Sequence, residues 1–218
     1  MKAEGSIAAL VVGAFASALA AAETCDVPAS ALDWSGGAGR IVGKLKARQP
    51  ASIVLLGADF AVGAFAEDLG RALGRRFPNV AIDIRSRALA GARPADMLIR
   101  IERDVMAERP DLVIWEPGTY NVGVDGAPAA LRTVMRDGIM RLRHAGIGVL
   151  LIEPGAAPDF VRHAGHEDYV EALRALAFER DVPLYRRFDT SRLLARNGAL
   201  EGSCVAEHIA AMLAKATR

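Results

Sequence analysis

The sequence predicts an α/β protein, a three-layer α/β/α sandwich of flavodoxin-like type built on a five-stranded parallel sheet. Three observations lead there. Runs such as Ile53-Val54-Leu55-Leu56 and Leu112-Val113-Ile114-Trp115 are apolar throughout rather than alternating, which suits strands covered by helices on both faces. Segments with apolar residues three and four apart separate these runs, the period of amphipathic helices. Glycine or proline stands at most of the changeovers. Strand and helix alternating about five times imply parallel βαβ units with right-handed crossovers.

Taken in order, residues 25–49 form a lead-in. It holds a short helix over 30–34, a Gly36-Gly37 turn and a second helix before Pro50. The first strand, 52–56, is broken by Gly57, which lets the backbone turn sharply at the strand's carboxyl end. Gly63 then opens a helix carrying Phe65, Leu69, Leu73 and Phe77. Pro78-Asn79 turns the chain into a second strand over 80–84. Residues 95–108 read as one helix through Met97, Leu98, Ile101 and Val105, stopped by Pro110. The third strand is 111–116. A helix over 129–145 buries Leu131, Val134, Met135 and Leu142 and ends at Gly146, before a fourth strand at 148–152. A helix over 167–180, a short strand at Val182-Pro183-Leu184-Tyr185, and helices at 191–196 and 203–215 complete the chain.

At 218 residues, 52% hydrophobic and 24% charged, the chain is long enough for one sizeable core. Residues 23–218 are expected to form a single domain. A net charge of +1 with both signs interspersed offers no basic face for nucleic acid and no polybasic membrane patch. The start differs from the rest: Lys2, an apolar run over 7–20, then Ala20-Ala21-Ala22 ahead of Glu23-Thr24. That is the pattern of a signal peptide, residues 1–22, with an A-x-A cleavage site. The alternative is a membrane anchor, but the run falls short of the roughly 20 residues a span needs. A periplasmic or secreted protein with no membrane span after processing is therefore expected. The two cysteines, Cys25 and Cys204, are expected either to pair, as export permits, or to remain as two buried thiols. A bridge would tie the lead-in to the last helix and close a loop worth about 4 kcal/mol in the chain-entropy model.

In open α/β sheets ligands collect beyond the carboxyl ends of the strands, so the turn after the first strand is the first place to look for chemistry. From Gly57 to Gly63 there is no hydroxyl and no thiol. Asp59 is the polar side chain there, and it has two readings. It caps the following helix, accepting amide bonds and complementing the dipole, or it contacts a ligand or attacks one itself. Gly91, in Arg87-Ala88-Leu89-Ala90-Gly91, follows the second strand, and Trp115-Glu116-Pro117-Gly118-Thr119-Tyr120-Asn121 follows the third. Tyr120 and Asn121 can each donate to an anion, although turns favour Asn for their own reasons. His163 and His166, beside Glu167 and Asp168, are spaced as metal ligands can be. The preferred reading is a solvated loop and helix start, because acids at a first helical turn need no other reason. His208 reads as an exposed helix residue, and His144 as a cation near a helix end. No metal and no cofactor is expected.

These segments resemble the SGNH (GDSL) hydrolase superfamily, from about Cys25 to Lys215, nearest to an exported, cysteine-bracketed branch whose strands read I-V-x-L-G and P-D-L-V-I-W. In that superfamily the first strand runs into Gly-Asp-Ser or Gly-Ser-Ser, the serine being the nucleophile; here Gly57-Ala58-Asp59 puts Asp59 in its place. Gly91 matches the glycine whose amide serves the oxyanion hole. Gly118 matches the first residue of Gly-x-Asn, with Tyr120 at the asparagine position and Asn121 reached by a one-residue slip. The Asp-x-x-His that precedes the last helix has no counterpart, although residues 201–207 resemble the cysteine-bearing start of that helix. Serine and histidine act as a unit, and losing either removes most of the rate. The resemblance thus implies the hydrolase fold with a vacant catalytic inventory. The cleft is then retained for a small ligand, with a carbohydrate, acyl or other small anionic group as the class, lined by Asp59, Gly91, Gly118, Tyr120 and Asn121. Two other functions follow from the same residues: an ester or phosphoester hydrolase using Asp59, with metal assistance from the His163 and His166 loop, and a partner-binding structural protein that uses its outer helices.

Overall fold

The computed structural model describes residues 25–32, 34, 36–37, 39–58, 63–118, 128–156, 165–196 and 201–218. After a 3-10 turn at Ala29–Leu32 the elements are α1 (Arg40–Lys46), β1 (Ala51–Leu56), α2 (Phe65–Arg76), β2 (Ile82–Ser86), α3 (Pro94–Arg100), β3 (Leu112–Trp115) and α4 (Pro128–His144). They continue with β4 (Gly148–Ile152), α5 (His166–Glu179), β5 (Leu184–Tyr185), α6 (Arg187–Arg196) and α7 (Glu201–Ala216). All strands are parallel, in the order β2-β1-β3-β4-β5. That is the five-stranded α/β/α sandwich the sequence predicts.

The uniform apolarity of the central strands has a direct cause. Successive side chains point to opposite faces, and here both faces are cores. Val54, Leu56, Val113, Trp115, Val149 and Leu151 enter one core with α3, α4 and α5. Ile53, Leu55, Leu112, Ile114, Leu150 and Ile152 enter the other with α1, α2 and α7. The edge strand β2 exposes Asp83, Arg85 and Ser86, which blunts pairing with another chain.

Several local expectations shift. β2 lies two residues later than its apolar run predicts, because Arg85 and Ser86 pair with Val54 and Leu55 at the sheet edge. The helix expected over 95–108 changes type: α3 is followed by a π turn at Ile101–Val105 and a 3-10 turn at Met106–Glu108. Met97, Ile101 and Val105 stay fully buried throughout, so packing is kept while the backbone period changes. α6 starts four residues earlier than expected, since the buried Glu153 carboxylate accepts the Phe188 amide in its first turn at 3.2 Å. The N-cap of α2 is Ala64, with no side-chain cap bond; Asp59, expected as a cap, lies outside the described residues.

His208 overturns its reading as an exposed helix residue. It is 3% exposed. Its Nδ1 lies 2.7 Å from the Tyr185 hydroxyl and its Nε2 2.6 Å from the Cys25 carbonyl oxygen. A carbonyl can only accept, so Nε2 carries the proton and Nδ1 accepts from the tyrosine. Burial pushes this imidazole below its ordinary value, against the Cys25 carbonyl, which favours the protonated ring. Cys25 and Cys204 form the expected disulfide. Among the described residues no helix is long and apolar enough to cross a membrane.

Candidate functional site at the carboxyl edge of the sheet

The turns after β1, β2 and β3 meet at the carboxyl edge. The Leu89 amide donates to the Gly57 carbonyl at 2.9 Å, and the Gly91 amide to the Ala58 carbonyl at 3.1 Å. From the β3 side, the Glu116 carboxylate accepts the Ala58 amide at 3.2 Å. Gly118 holds φ +87°, and a Cβ there would stand 3.0 Å from Ala58 Cβ, so the third turn lies directly on the first. Gly91 and Gly118 are thus brought together around Ala58, the residue before Asp59. The Gly91 amide is engaged with Ala58 in this arrangement rather than aimed outward. Asp59, Tyr120, Asn121 and His163 lie outside the described residues.

Two carboxylates that the sequence reading passed over are buried at this edge. Glu116 is 1% exposed and Glu153 is 0% exposed. Glu153 accepts from Arg174 Nε at 2.6 Å and from Nη2 at 3.1 Å, besides the Phe188 amide. Burial pushes the Glu153 carboxyl up despite Arg174. Burial works to lower the Arg174 guanidinium, yet Glu153 and Asp189, the latter at 3.0 Å, hold it above its ordinary value. A signal for both acids was present in the chain. Glu116-Pro117-Gly118 and Glu153-Pro154-Gly155 repeat one tripeptide at the ends of β3 and β4. In each, the carboxylate reaches sideways to the backbone of the neighbouring segment, towards β1 in one case and α6 in the other.

His166 opens α5 as expected, but it is buried at 2% exposure, its ring 5.2 Å from that of Phe188, and not part of a solvated loop. A cavity of about 400 Å³ beside it is lined by Glu167, Asp168, Glu171, Arg174 and Phe188. Among the described residues no cluster of three or more His, Cys, Asp or Glu side chains is arranged to hold a metal ion. His144, the last residue of α4, bonds its own helix through the Met140 carbonyl at 2.9 Å.

A model of the non-GDSL lipase-like family matches residues 24–218. The chain belongs to this family. Among solved structures, a lipase/acylhydrolase from Enterococcus faecalis superposes with a TM-score of 0.61 at 17% identity, over 76% of this chain and 94% of that one. LAE5, an alpha/beta hydrolase from the metagenome of Lake Arreo, gives 0.64 at 16% identity, over 77% and 96%. The acetyl xylan esterase AlAXEase gives 0.57 at 19%, over 67% and 83%. At such identities the likeness is one of fold. No curated protein matches the sequence. This member of the non-GDSL lipase-like family therefore has the SGNH hydrolase framework, with its first three turns locked together around Ala58.

Proposed function

We propose that the protein is exported and uses the carboxyl-edge cleft to bind a small carbohydrate or acyl ligand without serine esterase chemistry. One observation carries this reading: the turn that the fold sets at the mouth of β1 has no hydroxyl or thiol between Gly57 and Gly63. The last helix does not supply the missing base, since both ring nitrogens of His208 are occupied. The Cys25–Cys204 bridge accords with an oxidising compartment.

Purified protein is expected to show no p-nitrophenyl acetate turnover above that of an Asp59→Ala variant. Turnover that survives purification and disappears in Asp59→Ala would overturn the proposal. It would favour the second reading, an ester or phosphoester hydrolase using Asp59, which the adjacent buried Glu116 supports by bringing a second carboxylate to the same turn. Sensitivity of that turnover to EDTA would separate its metal-assisted form.

A further inference from the structure

The lead-in is attached to the core in an uneven way. At one end the Gly37 amide donates to the Asp181 carbonyl oxygen at 3.0 Å. Gly36 sits so close that a Cβ would fall 2.6 Å from that same oxygen, at φ +103°. At the other end Cys25 is bonded to Cys204, and its carbonyl accepts from His208, one helical turn further along α7. Between these ends packing is thin. The 3-10 turn Ala29–Leu32 has no buried residue, and among the described residues from 25 to 37 Leu32 and Trp34 rest partly against the core. Ordering a segment costs conformational entropy at every residue, and little apolar burial here offsets it. The disulfide and the His208 bond hold what packing does not.

This segment also forms a wall. Ser30 and Ala31 face Phe178, Leu184 and Arg186 across a cavity of about 480 Å³ at the β5 edge. Phe178 is 90% exposed, so the cavity opens beside a large apolar side chain.

We propose that residues 25–32 and Trp34 form a redox-released strap. A dithiol reductant opens Cys25–Cys204, the strap swings away about Gly36-Gly37, and the cavity along β5 loses one wall. The two sulfurs differ in access: Cys25 is partly exposed and Cys204 is fully buried. An incoming thiolate therefore attacks Cys25, forming a mixed disulfide and expelling Cys204 as the thiolate. Cys204 lies in the first turn of α7, where a helix N-terminus favours a thiolate and so a good leaving group. The second thiol of the reductant then displaces Cys25. Two electrons and two protons pass to the protein, giving two cysteine thiols, and the reductant departs as its own disulfide. The device does not depend on which ligand the carboxyl-edge cleft takes.

Amide hydrogen exchange of the native protein, with and without dithiothreitol and with thiols counted, tests it. Reduction should speed exchange about tenfold or more at the strap and at residues 182–186, as expected of a local opening. The amides of β1, β3 and β4 should be unchanged, and reoxidation should restore protection. Unchanged strap protection after both thiols titrate would overturn the proposal, because packing alone would then hold the segment. Loss of protection in all strands together would overturn it too, since the bridge would then be a staple of the whole core. A Cys25→Ala, Cys204→Ala double variant should show the opened pattern without reductant; failure of that variant to keep the folded sheet counts against the strap in the same way.

Discussion

The two edges of the sheet bury carboxylates by different means. At the amino edge Asp111, 2% exposed, accepts from Lys44 Nζ at 2.8 Å, the Ser52 amide at 2.9 Å and the Ser52 hydroxyl at 3.3 Å, with Arg40 Nε at 3.7 Å. At the carboxyl edge Glu153 relies on one guanidinium and one amide, and burial still raises its carboxyl. Several weak, redundant partners close one end of the molecule. At the other, the Arg174 guanidinium, shared between buried Glu153 and Asp189, ties the junction of β4, α5 and α6. Redundancy makes a clamp. Dependence on one partner makes a joint whose charge state matters, at the edge where α/β proteins place their sites.

Breaking the pair at the carboxyl edge should have the largest effect. Arg174→Met leaves the buried Glu153 without its cation, at a cost of about 3–5 kcal/mol, whereas Lys44→Met leaves Asp111 with Ser52 and Arg40 and should cost about 1–2 kcal/mol. Urea unfolding of the two variants measures the difference; equal losses would remove the contrast between the edges.

The pH dependence sharpens it. The Glu153 carboxyl is raised in the fold, so the folded state holds its proton to higher pH than the unfolded chain. Its contribution is full below the unfolded value of about 4.3 and declines as pH rises towards the folded value. Glu153→Gln should therefore flatten the fall in thermal stability on raising pH from about 4.3, while Asp111→Asn should leave that fall in place. Melting curves of both variants across this range decide the point. The smallest effect should come from Ser52→Ala, which removes only the longest of the Asp111 bonds and should cost about 0.5 kcal/mol in urea unfolding. A larger loss would show that the amino edge is less redundant than its geometry indicates.

Legibility from sequence followed the range of the interactions involved. The apolar runs of β1, β3 and β4 gave themselves away because two-sided burial leaves no polar position along a strand. The glycines after them were readable because sharp turns and close approach restrict residue choice locally. His208 was misread for the opposite reason: helix periodicity places it on α7 but says nothing of Tyr185 and Cys25, which arrive from β5 and from 183 residues away. Glu116 and Glu153 stood in plain view as a repeated Glu-Pro-Gly. Their burial, and the arrival of Arg174 at one of them, depended on packing between separate elements.

By itself, the amino-acid sequence determined the layered α/β/α architecture, the absence of a hydroxyl or thiol from residues 57–63 and the presence of two cysteines able to pair. These are properties of residue type and local period. Only the tertiary structure decided that the first three turns lock around Ala58, that Glu153 is matched by Arg174, and that a thinly packed lead-in is tied down beside His208. Each of those needs side chains from distant segments to meet at hydrogen-bonding distance, and such meetings are set by how the helices cross over the sheet.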